Sequence, residues 1–342
     1  MTRPLRIGIV GPLLGPNPGW VTSQGEVLAE HLGDDGVVVR TASAVVGRAG
    51  RAVDTIRRVR SWRGAVDAVI VLGFSGGAFA MTDLGTRAAR HLGVPVVLWL
   101  HGGNLPGFAE RHPRWVARVL RRADALVAPS PYLAGLATVA ERPVTVIPNV
   151  LPAPARATVR GGVEPRVLWM RTFHPLYRPD LAVAAFSELH RRRPTATLTL
   201  AGQDKGELTA TRHLVRTAGL DDAVRFPGFL DPEAKASAFA THDVFLNTTR
   251  TDNAPVSLLE AAAHGLVVIS TPAGGIADLF TDGTDVLLAE TAVGLAQAIE
   301  SVLDDPALAA RLSAGGRALA ESATWGHVGP RWHTLLRDLV DR

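Results

Sequence analysis

The chain has 342 residues, 47% of them hydrophobic, and its 36 basic and 32 acidic residues leave a formal net charge of +4. It contains no cysteine, which excludes disulfides, thiolate nucleophiles and cysteine-bound metals. No apolar run approaches the roughly 18 residues of a membrane span and the N-terminus has no apolar signal core, so we expect a cytoplasmic protein, long enough for two domains.

The first 150 residues alternate short β-rich runs with helical patterns, which predicts a parallel sheet with helices on both faces. The predicted strands are Leu5–Val10, Val37–Thr41, Ala68–Leu72, Pro95–Leu100, Ala125–Ala128 and Thr145–Ile147. These residues carry 17 arginines against 10 acids, whereas residues 151–342 carry 19 basic against 22 acidic residues. The two parts are therefore expected to meet different surroundings.

A glycine- and proline-rich loop, residues 11–19, follows the first predicted strand and precedes a helix that Ser23 and Glu26 could start as a capping box. The loop lacks the G-x-G-x-x-G spacing, and its prolines would stiffen it, which disfavours a nicotinamide or flavin cofactor. Gly19 would let the backbone approach another ligand closely. The alternative is a connection that binds nothing.

Arginine and tryptophan recur on two later stretches with a helical pattern. They are Arg48, Arg51, Arg57, Arg58, Arg60, Trp62 and Arg63, followed by Arg111, Arg114, Trp115, Arg118, Arg121 and Arg122. Such helices can lie on an anionic membrane surface, or they can present a solvated face, and both interpretations stay open. Nucleic acid is disfavoured as a partner, because the aromatic residues do not interleave as a stacking platform.

His101 follows the apolar run Val96–Leu100 and therefore stands at the carboxyl edge of the first predicted sheet. It could contact a ligand there or serve as a hydrogen-bonded structural residue. No pair of histidines has the spacing of a metal site, so we predict no protein-bound metal.

Residues 151–164, rich in proline and glycine, predict a linker between an N-terminal domain of residues 1–150 and a C-terminal domain of residues 165–324. The second domain has predicted strands at Arg166–Met170, Thr197–Ala201, Val224–Phe226, Val244–Leu246, Val267–Ser270 and Val286–Leu288. The pattern indicates an α/β fold of two Rossmann-like, doubly wound domains facing across a cleft. Residues 325–342 predict a helix that could cross back to the first domain.

Arg171 and Arg178 stand near the carboxyl edge of the second predicted sheet, where their forked donor sets suit a nucleoside diphosphate. The alternative is that both arginines face solvent. Further on, the segment from Asp252 to Glu260 predicts a helix from about Pro255 to His264, capped by Asp252 or Asn253. Its N-terminus would favour a phosphate, and the carboxylate of Glu260 would need a partner, either a ligand or a buried ion pair.

Together these residues resemble the retaining glycosyltransferases of family 4, which have the GT-B fold, over nearly the whole chain. Asp252 and Glu260 have the spacing of the family's Glu-x7-Glu motif, and Glu260–Gly275 matches the glycine-rich sequence that follows it. Ala201-Gly202 and Phe226–Phe229 also fall where the family has its strand ends and its base pocket.

The resemblance implies roles for particular residues. The implied donor-binding residues are Gly19, Arg171, Arg178, Phe229, Asn253, Ala254, Pro255, Val256 and Glu260, with Glu260 on the ribose hydroxyls; the implied catalytic residues are His101, Asp252 and Glu260. Aspartate at 252 is one methylene shorter than the family's glutamate, which would affect sugar preference. The family needs no metal and no protein nucleophile, so the only co-substrate expected is a nucleoside diphosphate-sugar, with no separate cofactor.

The sequence therefore predicts a metal-independent, retaining glycosyltransferase, cytoplasmic or at the inner face of the membrane. Its acceptor is expected to be a glycan, a lipid-linked sugar or cell-envelope precursor, or a small molecule. Two alternatives remain: a sugar-nucleotide 2-epimerase of the same fold, and a noncatalytic protein that binds nucleotide-sugars or glycans.

Overall fold

A computed structural model describes residues 3–17, 22–151 and 162–341. They form two compact units, one of residues up to 151 together with those from 323 on, the other of residues 162–322. The second boundary, between Ser322 and Ala323, lies close to the predicted one, whereas most of the predicted linker lies outside the described residues. Among the described helices, none has both the length and the apolarity needed to cross a membrane.

The first unit is built on a parallel sheet flanked by helices. Its strands are β1 (Arg6–Val10), β2 (Val38–Ala42), β3 (Ala68–Gly73), β4 (Val96–Leu100), β5 (Ala125–Ala128) and β6 (Thr145–Val146). Its helices are α1 (Gln24–Asp34), α2 (Arg48–Ser61), α3 (Phe79–Arg90), α4 (Leu105–Arg111), α5 (Pro113–Leu120), α6 (Pro131–Ala134) and α7 (Ala137–Ala140). The strand order is β2-β1-β3-β4-β5-β6. Every residue of β3 and β4 is buried, because helices cover both faces of the sheet.

The second unit repeats this plan. Its strands are β7 (Arg166–Met170), β8 (Thr197–Ala201), β9 (Val224–Gly228), β10 (Val244–Asn247), β11 (Val267–Ser270) and β12 (Leu287–Leu288). Its helices are α8 (Pro179–Arg192), α9 (Leu208–Thr217), α10 (Pro232–Thr241), α11 (Val256–Ala263), α12 (Ile276–Leu279), α13 (Ala292–Asp304) and α14 (Pro306–Ser322). The strand order is β12-β11-β10-β7-β8-β9, again all parallel.

The last helix, α15 (Trp325–Val340), packs on the sheet of the first unit. Trp332 is fully buried and meets Trp99 of β4 edge to face, with 4.9 Å between ring centroids. Trp325 stacks on His31 of α1 and donates a hydrogen bond of 3.0 Å to Asp35. These contacts complete one layer of the core, and they join residues that are far apart in the sequence.

The two sheets confirm the predicted fold class of two doubly wound parallel domains. Each predicted strand is present, and their ends differ from the prediction by at most two residues, as is usual for element boundaries. This agreement has a simple cause: strands buried on both faces are short, continuous apolar runs, and such runs are visible in a sequence.

Candidate functional site

The second sheet has a switch point between β7 and β10. From β7 the chain continues to β8 and β9 on one side, and then returns to build β10, β11 and β12 on the other. The loops that leave the carboxyl ends of β7 and β10 therefore diverge and leave a crevice, which is where ligands bind in open α/β sheets. Arg171 follows β7, and Asp252 lies in the loop after β10.

Arg171 and Asp252 form an ion pair at this switch point. The Nη2 group of Arg171 donates to Oδ2 of Asp252, and both side chains are largely buried, with 12% and 20% of their surface exposed. The guanidinium also lies over the ring of Tyr177, 4.6 Å from its centroid. The other oxygen of Asp252 accepts a hydrogen bond of 2.8 Å from the backbone N–H of Asn253. Both charged groups are thus held in fixed orientations.

Two glycines let the backbone come close enough to make this pair. Gly202, after β8, has φ +148°, and a Cβ added there would lie 1.8 Å from the carbonyl oxygen of Arg171. Gly274 has φ +65°, and a Cβ there would lie 2.1 Å from the carbonyl oxygen of Asp252. The backbone N–H of Gly275 donates to that same oxygen at 2.9 Å. No larger residue fits at either position without moving one partner of the ion pair.

Arg178 follows Arg171 by seven residues and has a different environment. It precedes the first residue of α8 with φ 49°, and its nearest acid is Asp180, at 3.5 Å and half exposed. The hydroxyl of Thr248, in the loop after β10, hydrogen-bonds the carbonyl oxygens of Tyr177 and Arg178, which ties this turn to the switch point.

Within the described structure, the Nε atoms of Arg171 and Arg178 are buried and have no hydrogen-bond partner. A buried donor without a partner costs about 1–3 kcal/mol. An anion in the crevice would remove this cost by accepting hydrogen bonds from both Nε–H groups. Arg171 can donate to it while remaining paired with Asp252, because a guanidinium has five N–H donors.

The helix after this loop matches its predicted bounds to within one residue, but its cap differs from the prediction. Helix α11 covers Val256–Ala263, and Pro255 occupies the capping position, whereas the sequence predicted Asp252 or Asn253 as the cap. The prediction was wrong because the carboxylate of Asp252 is engaged by Arg171. The capping residue, Pro255, makes no side-chain hydrogen bond to the helix, and a helix N-terminus favours an anion. Asn253, Ala254 and Pro255, which lead into it, are buried.

Glu260, inside α11, is paired with Lys235 of α10. The Nζ–Oε1 distance is 2.6 Å, and 13% of the Glu260 side chain is exposed. Of the two alternatives for Glu260, the structure shows an ion pair. Lys235 was missed in the sequence, although the scarcity of lysine offered a signal: it is one of only two lysines in an arginine-rich chain. Nothing in the sequence pattern brings α10 against α11.

Phe229 follows β9 with 44% of its surface exposed, which is unusual for a ring of this size. The residue before it, Gly228, accepts a hydrogen bond of 2.8 Å from Gly202. The ends of β7, β8 and β9 are therefore aligned, with Arg171, Gly202 and Phe229 in successive loops along one sheet edge.

In the first unit, His101 lies at the carboxyl end of β4, as predicted. Its ring is in contact with Trp99, at 4.2 Å between centroids, and faces Phe74 at 5.6 Å. Burial lowers the pKa of His101 to about 3, so the imidazole is neutral at physiological pH. Its Nε2 atom is buried and finds no hydrogen-bond partner in the described part of the chain.

The loop after β1 is fixed by a carboxylate of α1. Glu26 accepts hydrogen bonds from the backbone N–H groups of Gly15, at 2.9 Å, and Ser23, at 2.6 Å. The predicted donor-binding residue Gly19 lies outside the described residues. Among the residues that are described, no group of three histidines, aspartates or glutamates is placed to hold a metal ion.

The two tryptophans of the arginine-rich helices face inward. Trp62 is buried against β1, where a Cβ at Gly8 would lie 2.6 Å from its ring. Trp115 packs against Phe79 and donates a hydrogen bond of 2.8 Å to Asp83. The idea that arginine and tryptophan share a membrane-facing side is therefore wrong for Trp62, which lies in the core, whereas Trp115 is partly buried and packs against that core.

Models of two protein families match the chain. The model described as Glycosyltransferase Family 4 matches residues 20–152, and the one described as Glycosyl transferases group 1 matches residues 164–305. The matches correspond to the two structural units in turn.

Curated relatives are similar over part of their length. A glycogen synthase from Mycobacterium tuberculosis is 30% identical over 256 residues, which are 67% of this chain and 59% of that protein. A GDP-mannose-dependent monoacylated alpha-(1-6)-phosphatidylinositol monomannoside mannosyltransferase from Corynebacterium glutamicum is 28% identical over 46% of this chain and 43% of its own length. The chain thus spans about half the length of these relatives.

Among solved structures, HepE from Anabaena, in a complex with UDP and glucose, superimposes with a TM-score of 0.77. The match covers 98% of this chain and 100% of HepE at 16% sequence identity. At this identity the likeness concerns the fold alone, and it agrees with the predicted GT-B architecture.

The close approach at Gly274 predicts a specific defect in Gly274→Ala. Its Cβ would collide with the carbonyl of Asp252, whereas Gly283→Ala shares a left-handed backbone, φ +74°, and meets nothing within 4 Å. We expect Gly283→Ala to lose about 1–2 kcal/mol of stability from the backbone alone, and Gly274→Ala to lose at least about 2 kcal/mol more. Chemical denaturation of both variants measures the difference, and equal losses would contradict the close approach.

The burial of His101 predicts a histidine that resists protonation. Below about pH 6.5 the unfolded chain takes up a proton that the folded chain excludes, so stability falls by about 1.4 kcal/mol per pH unit until the pH nears 3. In His101→Gln this contribution to the pH dependence of folding stability is absent. The NMR signals of the His101 imidazole, assigned by their absence in the variant, should be those of the neutral ring down to about pH 5. A titration midpoint near 6.5 would show that His101 is accessible to water.

Proposed function

Because the chain belongs to the group 1 glycosyltransferases with the GT-B fold, we propose that it is a retaining enzyme that moves a sugar from a nucleoside diphosphate-sugar to an acceptor. One observation carries the proposal. At the switch point of the second sheet, two arginines whose buried Nε–H groups have no partner among the described residues lie at the edge where helix α11 begins. That combination suits a diphosphate better than any neutral ligand.

In this proposal the diphosphate binds between Arg171, Arg178 and the first N–H groups of α11. Asp252 holds the guanidinium of Arg171 through Nη2, which leaves the other donors free for phosphate oxygens. Asp252 is then a positioning residue, and its effect on the transferred sugar passes through Arg171. Fixed donors of this kind stabilise the negative charge that develops on the leaving diphosphate.

The nucleoside is proposed to lie further along the same edge. Glu260 would accept hydrogen bonds from the ribose hydroxyls with one carboxylate oxygen, while Lys235 holds the other at 2.6 Å. The exposed ring of Phe229 would pack against the base. The ion pair explains how a carboxylate can be oriented in a helix rich in alanine and leucine.

For the reaction itself, the proposal follows the family pattern. The bond between the anomeric carbon and the diphosphate breaks, the acceptor oxygen bonds to the same face of that carbon, and a donor phosphate oxygen takes the acceptor proton. His101, neutral at physiological pH, would act as a hydrogen-bonding group toward the transferred sugar and not as a cation. No protein nucleophile and no metal enter this scheme.

The acceptor is proposed to bind mainly to the first unit, which carries the excess of positive charge. The relatives' names span a glucan-forming enzyme and one that acts on a phosphatidylinositol mannoside, so they leave the acceptor open. Exposed arginines of α2 and α5 favour an anionic or lipid-linked acceptor at a cytoplasmic membrane face, by electrostatic attraction alone.

The donor assignment is tested by calorimetric titration with UDP, GDP and ADP. We expect one of them to bind, and Glu260→Ala or Arg171→Ala to weaken that binding at least about tenfold, because each removes a charge-assisted hydrogen bond of about 1.5–3 kcal/mol. The matched controls are Glu290→Ala and Arg216→Ala, exposed residues of the second unit. Affinity that is unaltered in both site variants would rule out the assignment.

Membrane attraction is tested by sedimentation with vesicles containing anionic phospholipid. At low salt we expect binding that weakens progressively in Arg57→Gln, Arg60→Gln and the double variant, by about 1 kcal/mol for each charge, and disappears at high salt. These arginines are exposed. The absence of binding at low salt would remove the membrane from the proposal and leave the transferase activity untouched.

A further inference from the structure

The first unit contains a cavity of about 130 Å³ at the carboxyl edge of its sheet. It is lined by the ends of β1 and β3 and by residues of α2 and α3. In this sheet β1 is followed by β2 on one side and by β3 on the other, so the cavity lies at the switch point, where α/β sheets bind ligands. Since one water needs about 15 Å³ of such space, the cavity can hold a small polar group.

The charged groups that line the cavity are all positive. Arg48 and Arg51 line it, and among the described residues no aspartate or glutamate does. Arg48 makes no hydrogen bond or ion pair with the described residues. Arg51 is oriented by hydrogen bonds of 3.2 and 3.4 Å to the carbonyl oxygens of Val45 and Val46. Asp54, the nearest acid on α2, is engaged elsewhere by Ser43 and Arg58.

Burial, together with the neighbouring Arg48, lowers the pKa of Arg51. Two like charges held side by side repel each other, and an anion between them would remove that repulsion. The excess positive charge therefore has a cost in the empty cavity that a ligand of opposite charge would offset.

A third group on the same helix face is also without a partner. Thr55 is 1% exposed and lines the cavity, and its hydroxyl makes no hydrogen bond with the described residues. Arg48, Arg51 and Thr55 are spaced three and four residues apart, which places them in one row along α2. The next residue in that row, Val59, is fully buried in the core. The row is polar only where it meets the cavity.

The helices add to the positive field. Both α2, of 14 residues, and α3, of 12 residues, contribute first-turn residues to the lining, Arg48 and Arg51 from one and Met81 and Thr82 from the other. The capping residue of α2, Gly47, makes no side-chain hydrogen bond to the helix, whereas α3 continues from a 3-10 turn, Gly76–Ala78, whose first carbonyl oxygen accepts the N–H of Phe79. Helix N-termini favour anions, and that of α2 carries both of the cations that line the cavity.

We propose that this cavity binds a phosphate monoester group, held by Arg48, Arg51 and the hydroxyl of Thr55. The two guanidinium groups match the two charges of a phosphomonoester, and the hydroxyl supplies a further donor to its oxygens. That the phosphate belongs to the acceptor rests on the proposed function, and it narrows the acceptor class to phosphorylated compounds.

The test is calorimetric titration of the full chain with glycerol 1-phosphate at low salt. All variants carry Arg171→Ala, so that the proposed diphosphate site of the second unit does not contribute to the measured binding. We expect Arg51→Gln and Thr55→Val each to weaken binding, the former at least about tenfold, through the loss of a charge-assisted hydrogen bond. Arg40→Gln is the matched control, since Arg40, on β2 of the same unit, is exposed and lies outside both the cavity and the arginine-rich helices. Circular dichroism of each variant verifies folding.

A second arm uses phosphatidylcholine vesicles that contain phosphatidic acid. If Arg51→Gln weakens binding of glycerol 1-phosphate but not of vesicles, the cavity binds the phosphate of a soluble compound. If Arg51→Gln also weakens vesicle binding, the cavity binds the phosphate of a lipid headgroup. Equal affinity of Arg51→Gln and Arg40→Gln in both arms would overturn the site.

The titration with nucleoside diphosphates separates this inference from the proposed function. Should Glu260→Ala and Arg171→Ala both leave nucleotide binding unaltered while Arg51 still governs phosphate binding, the donor assignment fails and the cavity site stands. The reverse result removes the cavity site alone.

Discussion

The close approach of four loops at the carboxyl edge of the second sheet is the constraint on which the rest of the site depends. Arg171 and Asp252 can pair only because glycine stands at 202 and 274, where a Cβ would lie 1.8 and 2.1 Å from their carbonyl oxygens. The pair fixes a guanidinium in the crevice and draws Asp252 away from the helix cap. Helix α11 consequently begins after a proline that cannot cap it with a side-chain hydrogen bond, and its N-terminus favours an anion.

The two units use the same topology with different charge compensation. In the second unit each cation of the crevice has an acid beside it: Asp252 with Arg171, Asp180 with Arg178 and Glu260 with Lys235. In the first unit the arginines of the cavity have none among the described residues. Cations that are paired with acids are held in fixed orientations but create only a weak electric field. Unpaired cations attract an anion more strongly, but they repel each other when no anion is bound. This contrast is consistent with a donor site defined by geometry and an acceptor site defined by charge.

The sequence was sufficient where one local pattern determines the structure. Apolar runs such as Val96–Leu100 predicted the strands, and the ends of those strands placed His101 and Arg171 at sheet edges. It was insufficient where a side chain's partner comes from another element. Neither the Lys235–Glu260 pair nor the capture of Asp252 by Arg171 follows from spacing, because both depend on how helices and loops pack. Trp62 illustrates the same limit: its helical pattern allowed a surface position, and packing against Gly8 placed it in the core.

The central claim is that the switch point of the second unit holds the diphosphate of the donor. The most direct measurement is a crystal structure of the chain with the nucleoside diphosphate that it binds. We predict phosphate oxygens within hydrogen-bonding distance of Nε of Arg171 and of the first backbone N–H groups of α11, with the ribose on Glu260. A diphosphate bound elsewhere, with Nε of Arg171 still unpartnered, would contradict it.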